Sequence, residues 1–166
     1  MQGLTKRWLT PPASDPAQPI ALRILGARGY TTKEQLDAFL DPKLSMLEDP
    51  STLHGADQAA EILCSALKAD KKVLVFGDYD ADGITASTVL YHIIAVATGR
   101  EGPTIYIPDR IDEGYGIRPS AMDQFAASGI DLVISVDCGI TAVETAQRAK
   151  ELGISLIITD HHKPRE

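Results

Sequence analysis

Three aspartates, Asp78, Asp80 and Asp82, stand at alternate positions directly after a short apolar run at 73–76. Carboxylates this close repel one another unless a cation neutralises them. Hard divalent cations take oxygen ligands, so the cluster is first of all a candidate metal site. Asp-x-Asp-x-Asp-Gly also opens a calcium-binding EF-hand loop. That loop needs a bidentate glutamate at its twelfth position, where this chain has Val89, and a helix before it, where this chain has a strand-like run. An aspartate-nucleophile phosphatase also places Asp-x-Asp after a strand, but a Thr or Val is expected where Asp82 stands. A polar turn with incidental acids does not explain why the arrangement recurs along the chain.

It recurs after every later apolar run. Asp109 and Arg110 follow 104–107, Asp137 and Cys138-Gly139 follow 132–136, and Asp160, His161 and His162 follow 155–159. Neutral imidazole suits Mn²⁺, Fe²⁺ or Zn²⁺, and carboxylates suit Mn²⁺ or Mg²⁺; a mixed site favours Mn²⁺, with Mg²⁺ the other candidate. Two such ions side by side serve the attack of water on a phosphate ester. The loop at 108–118 adds Arg110, which could grip a phosphate bidentately, together with Glu113, Tyr115 and Arg118. For Glu113 and Arg118 a solvated loop is an equally good account. Thr85 and Ser87 fall near the start of an expected helix whose free N–H groups could bind an anion, or are ordinary helix-start residues. Cys138 reads as a packing residue. The sequence holds no Ser-His-Asp arrangement, GxGxxG or P-loop.

Positioning these groups requires elements with a common polarity. Residues 1–19 hold four prolines and read as irregular, with Trp8 and Leu9 free to dock elsewhere. A helix is expected from Ile20 to a stop at Gly29. Another should follow, with Thr31 and Glu34 at capping-box spacing and an end at Asp41-Pro42. Residues 41–55 read as loop and 56–67 as a third helix. Strands at 73–76, 104–107, 132–136 and 155–159 then alternate with helices at 84–97, 119–127 and 142–152. This rhythm predicts an α/β fold with a doubly wound, mainly parallel sheet, preceded by a short helical N-terminal segment. The expected division is a helical lead-in over 1–70 and the sheet domain over 71–166. In open α/β sheets the ligand crevice lies outside the carboxyl ends of the strands, so all four groups of polar residues should share one rim. The chain stops soon after the fourth strand with no closing helix, and is expected to be a piece of a longer protein.

The 166 residues are 44% hydrophobic, as in a globular domain, and carry a net charge of -7. That charge argues against binding nucleic acid by a basic blanket, although a nuclease whose site brings its own cations remains compatible with it. Cys64 and Cys138 lack metal-finger spacing and suggest no disulfide scaffold. No apolar run of eighteen or more residues and no signal-peptide core appear, so no membrane association and a cytoplasmic location are expected.

Four segments together resemble the DHH phosphoesterase superfamily, and within it the RecJ single-strand-specific exonucleases. Gly-Asp-Tyr-Asp-Ala-Asp-Gly at 77–83 is similar to the first motif. Ile-Pro-Asp-Arg at 107–110 with Glu-Gly-Tyr-Gly at 113–116 is similar to the second, Val-Asp-Cys-Gly at 136–139 to the third, and Thr-Asp-His-His at 159–162 to the fourth. Trp8, Arg28-Gly29, Phe39-Leu-Asp-Pro42 and Leu47-Glu-Asp-Pro50 fit the lead-in of those proteins. The resemblance implies Asp80, Asp82, Asp137 and His161 as metal ligands, Asp78 near a second ion and acting in catalysis, His162 facing the scissile phosphate, and Asp160 orienting the histidines or binding metal. It implies 5′→3′ hydrolysis of single-stranded DNA with Mn²⁺ or Mg²⁺, in repair and recombination, with a single-strand-binding protein and a helicase as further partners. Many superfamily members carry a histidine where this chain has Phe76, a departure that leaves open how the second ion is held. A further ligand, a substrate domain and an OB-type domain are expected beyond this span, which predicts weak or absent activity for these residues alone. The alternatives are a small-substrate DHH phosphodiesterase or pyrophosphatase, against which the lead-in argues, and a non-catalytic nucleic-acid-binding scaffold, against which the full set of acids and histidines argues.

Overall fold

The computed structural model describes residues 15–164, and Trp8 and Leu9 lie outside them. Two compact units divide between Thr52 and Leu53. The first contains α1 (Ile20–Ala27), α2 (Lys33–Leu40) and two short 3-10 turns, Leu44–Met46 and Pro50–Thr52, within the expected loop. The capping box of α2 sits one residue later than expected. Thr32 Oγ1 accepts from Gln35 N, and Gln35 Oε1 accepts in return from the backbone N of Thr31 and Thr32.

The second unit contains α3 (Ala56–Lys68), β1 (Val73–Gly77), α4 (Ala81–Thr98), β2 (Thr104–Tyr106), α5 (Pro119–Ala127), β3 (Leu132–Val136), α6 (Val143–Leu152) and β4 (Ser155–Thr159). All pairings are parallel, in the order β2-β1-β3-β4. The expected α/β class and doubly wound sheet are therefore present. β1 and β3 are buried along their whole length, because helices cover both faces. Alternate residues face opposite layers. Leu74, Phe76 and Val133 pack with Met122, Phe125 and Ala149 of α5 and α6. Val73, Val75 and Ile134 pack with Ala66 and Leu63 of α3 and Leu90 of α4. Helix α3 covers this second face and so belongs to the compact unit that begins at Leu53.

Helix α4 begins at Ala81, one turn before the expected 84, because Asp80 caps it. Gly83, Ser87 and Ile94 of this 18-residue helix are buried, whereas its Ile84, Val89, Ile93 and Val96 are exposed. The chain leaves β1 for β2 on one side and returns to β3 on the other. The gap between the carboxyl ends of β1 and β3 is thus the switch point at which α/β sheets bind ligands. Asp78 follows one of these strands and Asp137 the other.

Candidate metal centre

At that switch point the strand ladder continues beyond the strand ends. Asp78 N donates to Val136 O, and Asp137 N donates to Thr159 O at 2.9 Å. Asp137 then takes a left-handed conformation, φ 61°, which a non-glycine residue adopts at some cost. The turn is tied from below. Ser135, fully buried, donates its hydroxyl to Cys138 O at 2.9 Å, and Thr159 Oγ1 donates to Ser135 O at 2.8 Å. Cys138 is itself fully buried in the core, as expected of a packing residue.

Two groups of side chains result, each with ligand atoms within 4.8 Å of one another: Asp78, Asp80 and Asp137, and Asp137, His161 and His162. Asp137 belongs to both. Its Oδ1 is buried without a hydrogen-bond partner, although His161 Nε2 lies 3.0 Å away in a charge contact. Burial pushes the Asp137 carboxyl above the usual carboxylate range, and the charge of Asp80 adds to this. Asp80 is held below that range, first by the Gly83 N–H and then by the Asp82 N–H, both donating to its Oδ1. A buried carboxylate oxygen without a hydrogen bond, in the residue common to both triads, fits a site whose residues would hold divalent cations. The oxygen-rich triad and the imidazole-containing triad also match the Mn²⁺ or Mg²⁺ preference expected from residue types.

The remaining predicted residues take other places. Asp82 is in the first turn of α4 and borders a cavity of about 320 Å³ with Asp137 and His161, outside both triads. Asp160, its side chain 1% exposed, gives Oδ1 to His162 N and Nδ1 and Oδ2 to Ile140 N. Both oxygens are committed, so it orients His162. Burial pushes its carboxyl up, but these hydrogen bonds prevail and hold it below the carboxylate range. In turn the hydrogen bond from its ring to Asp160 raises His162 above the usual imidazole value. With Nδ1 so engaged, Nε2 is the ring nitrogen left to the site. Tyr115 Oη lies 3.3 Å from His162 Nδ1, and burial among carboxylates pushes its phenol up to about 12. Tyr115, Arg118, Asp160 and His162 also border a second cavity of about 660 Å³.

Arg110 stands over the ring of Tyr79, 5.2 Å from its centroid. Composition did not single out Tyr79, although an aromatic between two site aspartates was the available signal. Thr85 and Ser87 do not open a helix here. Thr85 donates to Ala81 O within α4, and Ser87 is buried a turn and a half inside it. The first N–H groups of α4 are taken by Asp80.

Residues 72–166 match the family described as "DHH family, N-terminal domain". The chain belongs to the DHH family. Among curated DHH relatives it is 40% identical over 146 residues to the single-stranded-DNA-specific exonuclease RecJ of Bacillus subtilis, covering 88% of this chain and 18% of that protein. It is 34% identical over 163 residues to RecJ of Escherichia coli, covering 97% of this chain and 27% of that protein. The chain thus spans about a fifth to a quarter of these relatives. Two solved structures share the fold. A RecJ bound to manganese aligns with a TM-score of 0.59 at 38% identity, over 66% of this chain and 28% of that one. RecJ in complex with Mn²⁺ from Thermus thermophilus aligns with a TM-score of 0.60 at 29% identity, over 90% and 22% respectively. The first, third and fourth motifs read from sequence supply the two triads, and the second supplies the Arg110–Tyr115 loop beside them.

Proposed function

We propose that this chain carries the metal-binding part of a 5′→3′ single-stranded-DNA exonuclease that hydrolyses phosphodiesters with Mn²⁺ or Mg²⁺. The observation that carries the reading is the buried Oδ1 of Asp137, which makes no hydrogen bond and faces His161, in the residue common to the two triads. The family membership and the similarity to RecJ exonucleases support it. Asp78, Asp80, Asp137 and His161 would hold the cations, with Asp82 bordering the same space. Bound there, the cations supply the Lewis acidity that attack of water on a phosphodiester requires, and they offset the acidic charge that would otherwise repel the phosphate.

The chain's own groups do the rest. Asp160 fixes the His162 ring, so that Nε2 can hold a phosphate oxygen or pass a proton to the leaving oxygen. Arg110, resting on Tyr79, adds a cation at the rim for a second phosphate. A single-strand-binding protein and a helicase would be partners of such an activity, which works in the cytoplasm where DNA is repaired.

The test uses 5′-labelled single-stranded and duplex DNA with Mn²⁺ and the full-length protein, unmodified and with Asp80→Ala/His161→Ala. Release of 5′ nucleotides from the single strand alone, abolished in the variant, is expected. A variant that digests DNA at the unmodified rate would sink the metal-site assignment.

A further inference from the structure

Glu113 lies on the acid-rich rim, yet it belongs to neither triad, and both of its oxygens are occupied. Oε2 accepts from Tyr106 Oη at 2.7 Å, and Oε1 accepts from Asp109 N at 2.9 Å. Tyr106 is an anchor: its ring stacks on Phe76 at 5.6 Å and meets Phe125 edge-on at 5.2 Å, both core residues. Asp109 closes the loop on itself. Its carbonyl accepts from Glu113 N and Gly114 N, and its Oδ1 accepts from Ile111 N and Asp112 N. Gly114 and Gly116, with φ of 73° and 84°, turn the chain on both sides of Tyr115, whose hydroxyl reaches His162. Glu113 thus joins the loop that carries Arg110 and Tyr115 to the core, beside the buried Thr145–Ile117 hydrogen bond at the end of the loop.

We propose that Glu113 is a positioning residue for phosphodiester hydrolysis: through Tyr106 it pins the 109–116 loop to the core and so sets Tyr115 against His162 and Arg110 at the rim. This rests on the function proposed above. Glu113 stands outside both triads, and each of its oxygens already accepts a hydrogen bond from the loop or from Tyr106. The brace needs only an acceptor for Asp109 N and a partner for Tyr106 Oη. A glutamine supplies both, accepting from the first through its oxygen and donating to the second through its nitrogen.

The experiment compares Glu113→Ala, Glu113→Gln, Tyr106→Phe and the Glu113→Ala/Tyr106→Phe double variant in the full-length protein. Three readouts are used: kcat and KM on single-stranded DNA, Mn²⁺ affinity by titration, and, in the metal-free protein, tryptic cleavage after Arg110 together with the His162 ring-nitrogen resonances. Arg110 is followed by Ile111, whereas Arg118 precedes Pro119 and resists trypsin. Expected for Glu113→Ala are a kcat/KM about 100-fold lower, as for a displacement of about an ångström, unchanged Mn²⁺ affinity, faster cleavage after Arg110 and shifted His162 resonances. Tyr106→Phe should move in the same direction, the double variant should be no worse than Glu113→Ala, and Glu113→Gln should stay close to the unmodified protein. A Glu113→Gln variant as impaired as Glu113→Ala would overturn the proposal, as would a Glu113→Ala variant with unchanged kcat/KM and unchanged cleavage. Absence of nuclease activity from the unmodified protein would instead overturn the reading of function. The cleavage and resonance measurements would then still decide whether the brace exists.

Discussion

Gly83 is the point at which helix α4 meets the backbone of the metal-binding loop. A Cβ built there would stand 2.4 Å from Asp78 O and 2.5 Å from Asp78 N, both backbone atoms that cannot rotate away. Ordinary contact begins at 3.4 Å, so Gly83→Ala requires the start of α4 and Asp78 to separate by about 1 Å (3.4 minus 2.4). Two effects on stability oppose each other. Alanine in a helix gains roughly 0.5–1 kcal/mol over glycine, while overpacking costs about 1–3 kcal/mol. The net loss is on the order of 1–2 kcal/mol, which at about 2–4 °C per kcal/mol lowers the melting temperature by only a few degrees. The site fares worse. Asp80 moves with α4, while Asp78 and Asp137 stay with the strands, so a triad whose ligand atoms now lie within 4.8 Å is pulled apart. Disturbed support of metal ligands typically costs about 10–100-fold in affinity or activity, and a misplacement of 1 Å costs about 100-fold in rate. Calorimetric Mn²⁺ titration beside a thermal melt separates the two effects. The expected outcome is a folded variant with Mn²⁺ affinity reduced by at least about tenfold. Wild-type affinity in Gly83→Ala would refute the argument that this close approach sets the triad.

Other perturbations follow from the same geometry. In EDTA, Asp137→Asn should melt higher than the unmodified protein, because the folded state raises the Asp137 carboxyl and so loses stability as pH climbs from 3.8 through that raised value. Asparagine also tolerates the left-handed backbone. With Mn²⁺ at about 100 times its dissociation constant, the unmodified protein should gain about 2.7 kcal/mol, or roughly 5–11 °C, and the variant much less; an equal gain would count against a shared Asp137. Metal-free stability should also fall as pH rises above 6.5. His162 is raised above 6.5, so its contribution is complete below 6.5 and lost as pH rises through the raised value. Asp160 is lowered below 3.8, so its contribution is present above 3.8 and lost only as pH falls through the lowered value. Asp160→Asn should flatten the decline above pH 6.5 in melts run with chelator. Thr145→Val removes a buried 2.8 Å hydrogen bond from Thr145 Oγ1 to Ile117 O that joins α6 to the end of the rim loop. It should cost about 1–3 kcal/mol, read as a lower urea midpoint without a change in Mn²⁺ affinity.

The strands were legible because their apolar runs, bounded by Gly, Asp and Pro, admit one reading when both faces are covered; 132–136 and 155–159 agree with β3 and β4 residue for residue. The start of α4 was not. Asp-Ala-Asp-Gly at 80–83 has the composition of a turn, and what makes it helical is tertiary. Asp80 caps the helix, and the glycine that looks like a breaker is there because Asp78 leaves no room for a side chain. The packing partner of α3 is tertiary information as well. The apolar face of α3 is visible in the sequence, but nothing local says that it faces Val73 and Val75.

The candidate site shows where counting acids stops being informative. Asp78, Asp80, Asp82, Asp109, Asp137 and Asp160 look alike in sequence, each near the end of a strand. Their hydrogen-bond partners separate them. Asp109 Oδ1 caps two N–H groups of its own loop, and Asp160 uses both oxygens to join Ile140 to His162. Asp80 turns one oxygen to the helix it caps, which leaves the other for a cation. Asp137 has a buried oxygen that makes no hydrogen bond and faces His161 Nε2, in a backbone conformation that Ser135 and Thr159 hold in place. A carboxylate can bind metal only to the extent that the fold withholds other donors from it. That property belongs to the neighbours of each aspartate and not to its place in a motif. It is why Asp137, and none of its sequence neighbours Asp123, Asp131, Glu144 and Glu151, is the residue on which both triads depend.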